Sequence, residues 1–115
     1  MRRRRPNALM TTADPVLSSY RTTIVDFATE HYLVSMYGDR IYVTVGGLMF
    51  YGTSTAVMWR QAAIYVDRIF KGAKPGELPV EQPTKFELVI NMKTASTLGL
   101  AVPQSVLARA DQIIE

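Results

Sequence analysis

The residues that could do chemistry are few and far apart. His31 is the only histidine and there is no cysteine, so a disulfide framework and a thiolate metal site are excluded. A zinc site would lack the several ligands of the right type that it needs. His31 falls near the end of an expected helix, where its cation is mildly favoured, and a structural or surface role is expected for it. Ser18, Ser19 and Ser54 are the tempting nucleophiles, but each lies in an expected helix or at its cap, and none has a Gly-x-Ser-x-Gly setting. No Gly-x-Gly-x-x-Gly or Walker-type run cradles a phosphate. The chain therefore reads as non-enzymatic, with no cofactor.

Charge is concentrated at one end. The net charge is +3, and Arg2, Arg3, Arg4 and Arg5 supply more than all of it, since less these four the balance is −1. The basic character belongs to a terminal tract and not to a folded surface, so no nucleic-acid partner is expected. With 48% hydrophobic and 20% charged residues in 115, the chain suits one ordinary globular domain. The expected organisation is a basic tail over 1–6 and a single α/β domain over 7–115. Polar residues interrupt Pro6–Asp14 too soon for a signal peptide, so the chain as written is expected in the cytoplasm. Its apolar stretches fall short of the ~20 residues that span a bilayer, and it reads as soluble.

Several elements must position whatever the chain binds. Ala8–Thr12 is expected to be a buried strand. Asp14 and Pro15 follow as N-cap and first helical residue, because the carboxylate accepts a first-turn amide and proline has no N–H to waste. Leu17, Tyr20, Ile24, Phe27 and His31 share one face at steps of three and four, predicting a helix from Pro15 to about His31. A strand over 33–37 completes a βαβ unit, which implies a parallel pairing. Gly38-Asp39 suits a positive φ or a tight turn.

Arg40–Val45 favours a strand by propensity. Gly46-Gly47 breaks the chain before a strand over 48–51, and Ser54 caps a helix over 55–71. In that helix Met58, Ala62, Tyr65 and Ile69 form one apolar stripe and Trp59, Ala63, Val66 and Phe70 its neighbour, ended by Lys71-Gly72. Pro75, Pro79 and Pro83 hold an extended crossing. A strand over 85–90, a short helix over 93–98 and a closing amphipathic helix from Pro103 are expected next, the last with Val106, Leu107, Ala110, Ile113 and Ile114 inward.

Three runs carry a family resemblance: Gly-Gly-Leu-Met-x-Tyr-Gly at 46–52, Lys-Gly-Ala-Lys-Pro-x-x-Leu-Pro-Val-Glu-Gln-Pro at 71–83 and Asn-x-Lys-Thr-Ala at 91–95. With weaker support from Asp14-Pro15 and Tyr-Gly-Asp at 37–39, the chain resembles the C-terminal part of ABC-transporter substrate-binding proteins. The fold this implies is α/β, an incomplete parallel-sheet, three-layer lobe of the periplasmic binding protein type I kind. The resemblance makes Arg40–Val45 a short helical turn, against its propensity, and the two readings stand side by side. In such folds the ligand lies beyond the carboxyl ends of the strands, in the crevice between lobes. Carried over by position, the candidate ligand-binding residues are Asp14, Tyr37, Asp39, Tyr51 and Gly52. Carboxylates there would take a ligand amine, and tyrosines would stack or donate a hydrogen bond.

The function implied is the solute-binding component of an ABC-type importer, periplasmic, taking a small-molecule solute and presenting it to a membrane permease without chemistry. The chain is about a third of the family's usual length, so a signal peptide and a first lobe are not among its residues. A half-cleft would bind more weakly, and the wide apolar face of helix 55–71 and the crossing at 82–86 would lose their cover. A homo-oligomer is therefore expected. The alternative function is a homo-oligomeric structural or interaction domain that has lost solute binding. A third reading is a small regulatory domain using its arginine arm on nucleic acid or an anionic surface.

Overall fold

The computed structural model describes residues 6–83 and 85–115. The arginine tract and Thr84 of the proline-rich crossing lie outside the described residues. The described residues form two compact units: those up to Gly52 together with Glu87–Glu115, and Thr53–Phe86.

The larger unit is built on a five-stranded sheet in the order β1 to β5, with β1 at Ala8–Met10, β2 at Val34–Tyr37, β3 at Met49–Thr53, β4 at Phe86–Asn91 and β5 at Gln112–Ile114. β1 and β2 pair in parallel with Leu9 opposite Ser35, and β2 and β3 in parallel with Tyr37 opposite Phe50. β4 and β5 are likewise parallel, with Ile90 opposite Ile113. The Asn91 amide, at the end of β4, donates to the Leu48 carbonyl at 2.8 Å, just before β3, so β4 runs against β3. The mostly parallel α/β sheet expected from the sequence is present.

Asp14 caps α1 (Pro15–Ser19) as expected, its carboxylate accepting the Leu17 amide at 2.9 Å. The single helix expected to His31 is instead broken at Tyr20, and α2 runs Arg21–Glu30. Arg21 donates to the Ser18 carbonyl at 3.1 Å and so satisfies an acceptor near the break. His31 is the C-cap of α2, its Nδ1 2.8 Å from the Phe27 carbonyl and its ring stacked on Phe27.

Arg40–Val45 resolves as helix: α3 spans Ile41–Thr44. Propensity loses because the Asp39 carboxylate accepts the Ile41 amide at 3.1 Å and starts the turn. The turn then sends Tyr42 and Val43 into separate apolar clusters. Val25, Tyr37 and Tyr42 pack with Ile24 and Val45 in one, while Val43, Phe50 and Val89 pack with Ile114 in the other. Each fully buried side chain of this size contributes roughly 1.5–3 kcal/mol of transfer free energy.

Two further expectations fail in this unit. β1 was expected to be buried, but it is first in the strand order and thus an edge, with Met10 exposed. The closing helix from Pro103 is a single turn, α6 (Gln104–Leu107), after which the chain becomes β5. Asp111 makes that switch. Its carboxylate accepts the Leu88 amide at 2.7 Å, and its own amide donates to the Leu88 carbonyl at 2.8 Å. Ile113 and Ile114 then alternate as strand residues, and only Ile114 packs against the core.

α5 (Met92–Thr97) is capped by Asn91, whose side-chain oxygen accepts the Thr94 amide at 3.1 Å. The smaller unit holds α4 (Thr55–Phe70), with Ser54 as N-cap. α4 ends as the sequence implies. Gly72 takes φ +108°, and the Gly72 and Ala73 amides close on the Ile69 and Arg68 carbonyls at 3.1 and 3.0 Å. A short 3-10 turn, Pro75–Glu77, starts the crossing.

Candidate functional site

The carboxyl ends of β1, β2 and β3 meet around Gly38. A Cβ at Gly38 would stand 2.5 Å from the Ala13 nitrogen and 2.8 Å from the Thr12 carbonyl carbon. Glycine is required there for closeness, and not for the positive φ that the sequence suggested, since Gly38 is not among the positive-φ glycines. The Gly38 amide also donates to Thr11 Oγ1 at 3.4 Å. On the other side a Cβ at Gly52 would come 3.5 Å from the Gly38 carbonyl oxygen and 3.0 Å from the Phe50 ring. Three strand ends are thus drawn together as a rim.

Asp14 and Asp39 are joined across this rim by α1. Ser18, one turn after the Asp14 cap, donates its hydroxyl to Asp39 Oδ2 at 3.3 Å. Asp39 Oδ1 accepts the Ile41 amide. Both carboxylates therefore hold structural bonds, and each retains acceptor capacity because a carboxylate has about four lone-pair sites. Tyr51 is 50% exposed, half in solvent on β3. Ser18 was read from the sequence only as a rejected nucleophile. Nothing in its spacing to Asp39, 21 residues away, signals the bond that orients that carboxylate.

Tyr37 is placed differently from the other four. It is 1% exposed, its ring stacks on Tyr42 at 4.5 Å between centroids, and it belongs to the core. Burial pushes the Tyr37 phenol above its ordinary value; the adjacent Ser35 side chain lowers it and Tyr42 raises it further. The contact with Ser35 is not a hydrogen bond of good geometry, and the Tyr37 and Tyr42 hydroxyls lie buried and unpartnered among the described residues. Ser35 precedes Tyr37 on the same face of β2, so the phenol leans back along the strand, away from the rim.

Two grooves lie away from the rim. A groove of about 550 Å³, lined by Asp26, Thr29, Glu30, Gly46, Lys93 and Thr94 among others, lies at the opposite ends of the strands from the rim. In the smaller unit a groove of about 330 Å³ runs between α4 and the crossing, past Met58, Gln61, Tyr65 and Glu81. Among the described residues no group of three or more His, Cys, Asp or Glu is placed to hold a metal ion. Nor is any described helix long and apolar enough to cross a membrane.

The family model of the ABC transporter substrate binding proteins matches residues 3–114. The chain belongs to that family. It is similar to a conserved domain protein from Vibrio cholerae, with 28% identity and a TM-score of 0.86 over 93% of this chain and 36% of that one. It is also similar to an ABC domain from Streptococcus pneumonia in complex with L-Trp, with 29% identity and a TM-score of 0.85 over 94% of this chain and 38% of that one. A ligand-free, open substrate-binding protein from Clostridium difficile shares the fold at 17% identity and a TM-score of 0.65, over 93% of this chain and 36% of that one. The chain thus spans little more than a third of these structures. No curated protein matches the sequence. The mixed α/β lobe of the substrate-binding family, read first from three sequence runs, is the fold observed.

Proposed function

We propose that this chain supplies one wall of the solute cleft of an ABC importer's binding protein, working on the periplasmic or extracellular side that is typical of the family. Its partners in that role are a small organic solute and a membrane permease. The solute would lie against the carboxyl ends of β1 to β3, touching Asp14, Asp39, Tyr51 and Gly52, with Tyr37 holding β2 in register from below. The observation that carries this reading is the convergence of the three strand ends on Gly38, with two carboxylates and a half-exposed tyrosine at the rim. Two anionic groups suit a cationic amine, and an aromatic face beside them suits an apolar side chain, which is the chemistry of an α-amino acid. The similar domain from Streptococcus pneumonia, in complex with L-Trp, supports that choice.

Thermal unfolding in the presence of L-Trp and other amino acids tests it. A ligand that prefers the native state stabilises it by about 2.7 kcal/mol at a hundredfold excess over Kd. The expected result is a rise in Tm that saturates at millimolar solute and is lost in Asp39→Asn. No shift with any amino acid at tens of millimolar would overturn the reading. Self-association, in place of or beside solute binding, is the second reading, and the exposed apolar side chains of α4 favour it.

A further inference from the structure

Helix α4 divides its surface unevenly. One side is covered from within its own unit: the Tyr65 phenol donates to the Pro79 carbonyl at 2.7 Å, and the Gln61 amide to the Glu81 carboxylate at 2.9 Å. The opposite side carries Trp59, Ala63, Val66 and Phe70 at steps of four, three and four. All four are exposed, Trp59 at 72% and Phe70 at 86%. An aromatic at each end with two small residues between gives the same pattern in either direction along the helix.

Turned end for end about a point between residues 64 and 65, a second α4 sets its Phe70 against Trp59 and its Val66 against Ala63. Ala63 at the centre lets the two backbones approach. Along one flank of this stripe stand Arg60 and Asp67. A two-fold axis perpendicular to the plane of two antiparallel helices keeps each flank on its own side. Arg60 of each copy therefore comes alongside Asp67 of the other, twice over. Lys71, the C-cap of α4, 3.0 Å from Asp67 of the same chain, adds a second cation to each pair. Parallel pairing, about a two-fold along the helices, would instead put the Arg60 and Asp67 flanks of the two copies on opposite sides of the seam and form none of these pairs.

We infer that the outer face of α4 is a self-recognition surface on which two copies of this chain pair as antiparallel helices. The inference rests on the self-association reading and is independent of solute at the rim. Two helices of 16 residues meet over only ~24 Å and bury less than the ~1,200 Å² of a standard stable interface. The pair is therefore weak and concentration-dependent.

The chain has no cysteine, so single introduced thiols report geometry. Mild oxidation of an equal mixture of Ala63→Cys and Val66→Cys chains is expected to give mainly the mixed cross-linked dimer. Ala56→Cys alone should give none, because antiparallel helices hold the two positions ~25 Å apart along the axis and a disulfide needs Cα atoms within about 7 Å. In sedimentation equilibrium, Phe70→Asp should raise the dimer Kd about 30-fold or more, with circular dichroism and Tm unchanged. Arg60→Glu or Asp67→Arg alone should weaken the dimer about fivefold, and the two together should restore it. A monomer at every concentration up to about 1 mM, a dimer indifferent to Phe70→Asp, or cross-linking of Ala56→Cys to itself would each overturn the inference. Ligand-dependent Tm, read on the Phe70→Asp chain, follows the rim separately, so either reading can fail without the other.

Discussion

The sheet unit and the Thr53–Phe86 unit are made of similar residues and treat them in opposite ways. Val25, Leu33, Tyr37, Tyr42, Phe50, Val89, Ile90 and the other buried hydrophobics all belong to the sheet unit. The smaller unit has none among its described residues, although α4 is the longest helix and carries a tryptophan, a phenylalanine and a methionine. Helical periodicity shows that a face is apolar; it does not show what covers it. In the sheet unit the cover is intrachain, because α3 can turn Tyr42 and Val43 into two clusters at once. Among the described residues of the smaller unit none covers the outer face of α4, and that difference separates a face that holds the fold from one left exposed.

A pair of phenylalanine deletions should separate the two units most strongly. Phe50→Ala removes a ring packed against Val43 and Val89 and should cost about 3–5 kcal/mol. Phe70→Ala, on an exposed side chain, should stay within about 0.5 kcal/mol. Urea unfolding at low protein concentration measures both. If Phe70→Ala costs more than about 1 kcal/mol there, α4 is covered in the monomer and the contrast fails.

A pair of glycines comes next in size. Gly38→Ala would drive a methyl to 2.5 Å from the Ala13 nitrogen and should cost about 1–3 kcal/mol through forced separation of the β1 and β2 ends. Gly76 lies in open space without a positive φ, so Gly76→Ala should be neutral or stabilise by up to about 1 kcal/mol through the unfolded chain. Solute-dependent Tm should be lost in Gly38→Ala even where the fold survives, because the rim is spread.

The N-caps of α1 and α4 should separate the two units in the same way. Asp14→Ala and Ser54→Ala each remove a side-chain acceptor, from the Leu17 and Val57 amides respectively, a loss worth about 1 kcal/mol. The Asp14 loss should appear in global unfolding, since α1 is tied to Asp39 through Ser18. The Ser54 loss should appear in hydrogen exchange of the α4 amides, while Val89 and Ile90 keep their protection.

Legibility in the sequence follows the same division. Strands and helices whose signal is local came through: the Asp14-Pro15 start, the Ser54 cap, the Lys71-Gly72 stop and β4. What escaped depends on contacts between residues distant in the chain. Asp111 turns an apparent helix into β5 by bonding Leu88, 23 residues away. Tyr37 sits at a strand end, where position suggested a ligand contact, yet its ring stacks on Tyr42, which local propensity placed in a strand. Asp14, Asp39, Tyr51 and Gly52 were expected at the rim by resemblance alone, whereas the Ser18 bond to Asp39 and the spatial need for Gly38 emerge only from the fold.

The smallest effect concerns the buried phenol of Tyr37. Its hydroxyl has no well-formed hydrogen bond, so Tyr37→Phe should change stability at neutral pH by no more than about 1 kcal/mol. The pH dependence is more telling. Burial raises the folded-state value above the ordinary 10.0, so the unfolded chain loses this proton first. Stability from this source is fully present below pH 10 and falls as pH climbs from there through the folded value. Parent and Tyr37→Phe unfolding curves should therefore run parallel up to about that pH, and the parent alone should then lose ground. Parallel curves throughout would place Tyr37 in solvent contact, like the half-exposed Tyr51, and no longer part of the core that sets the sheet unit apart.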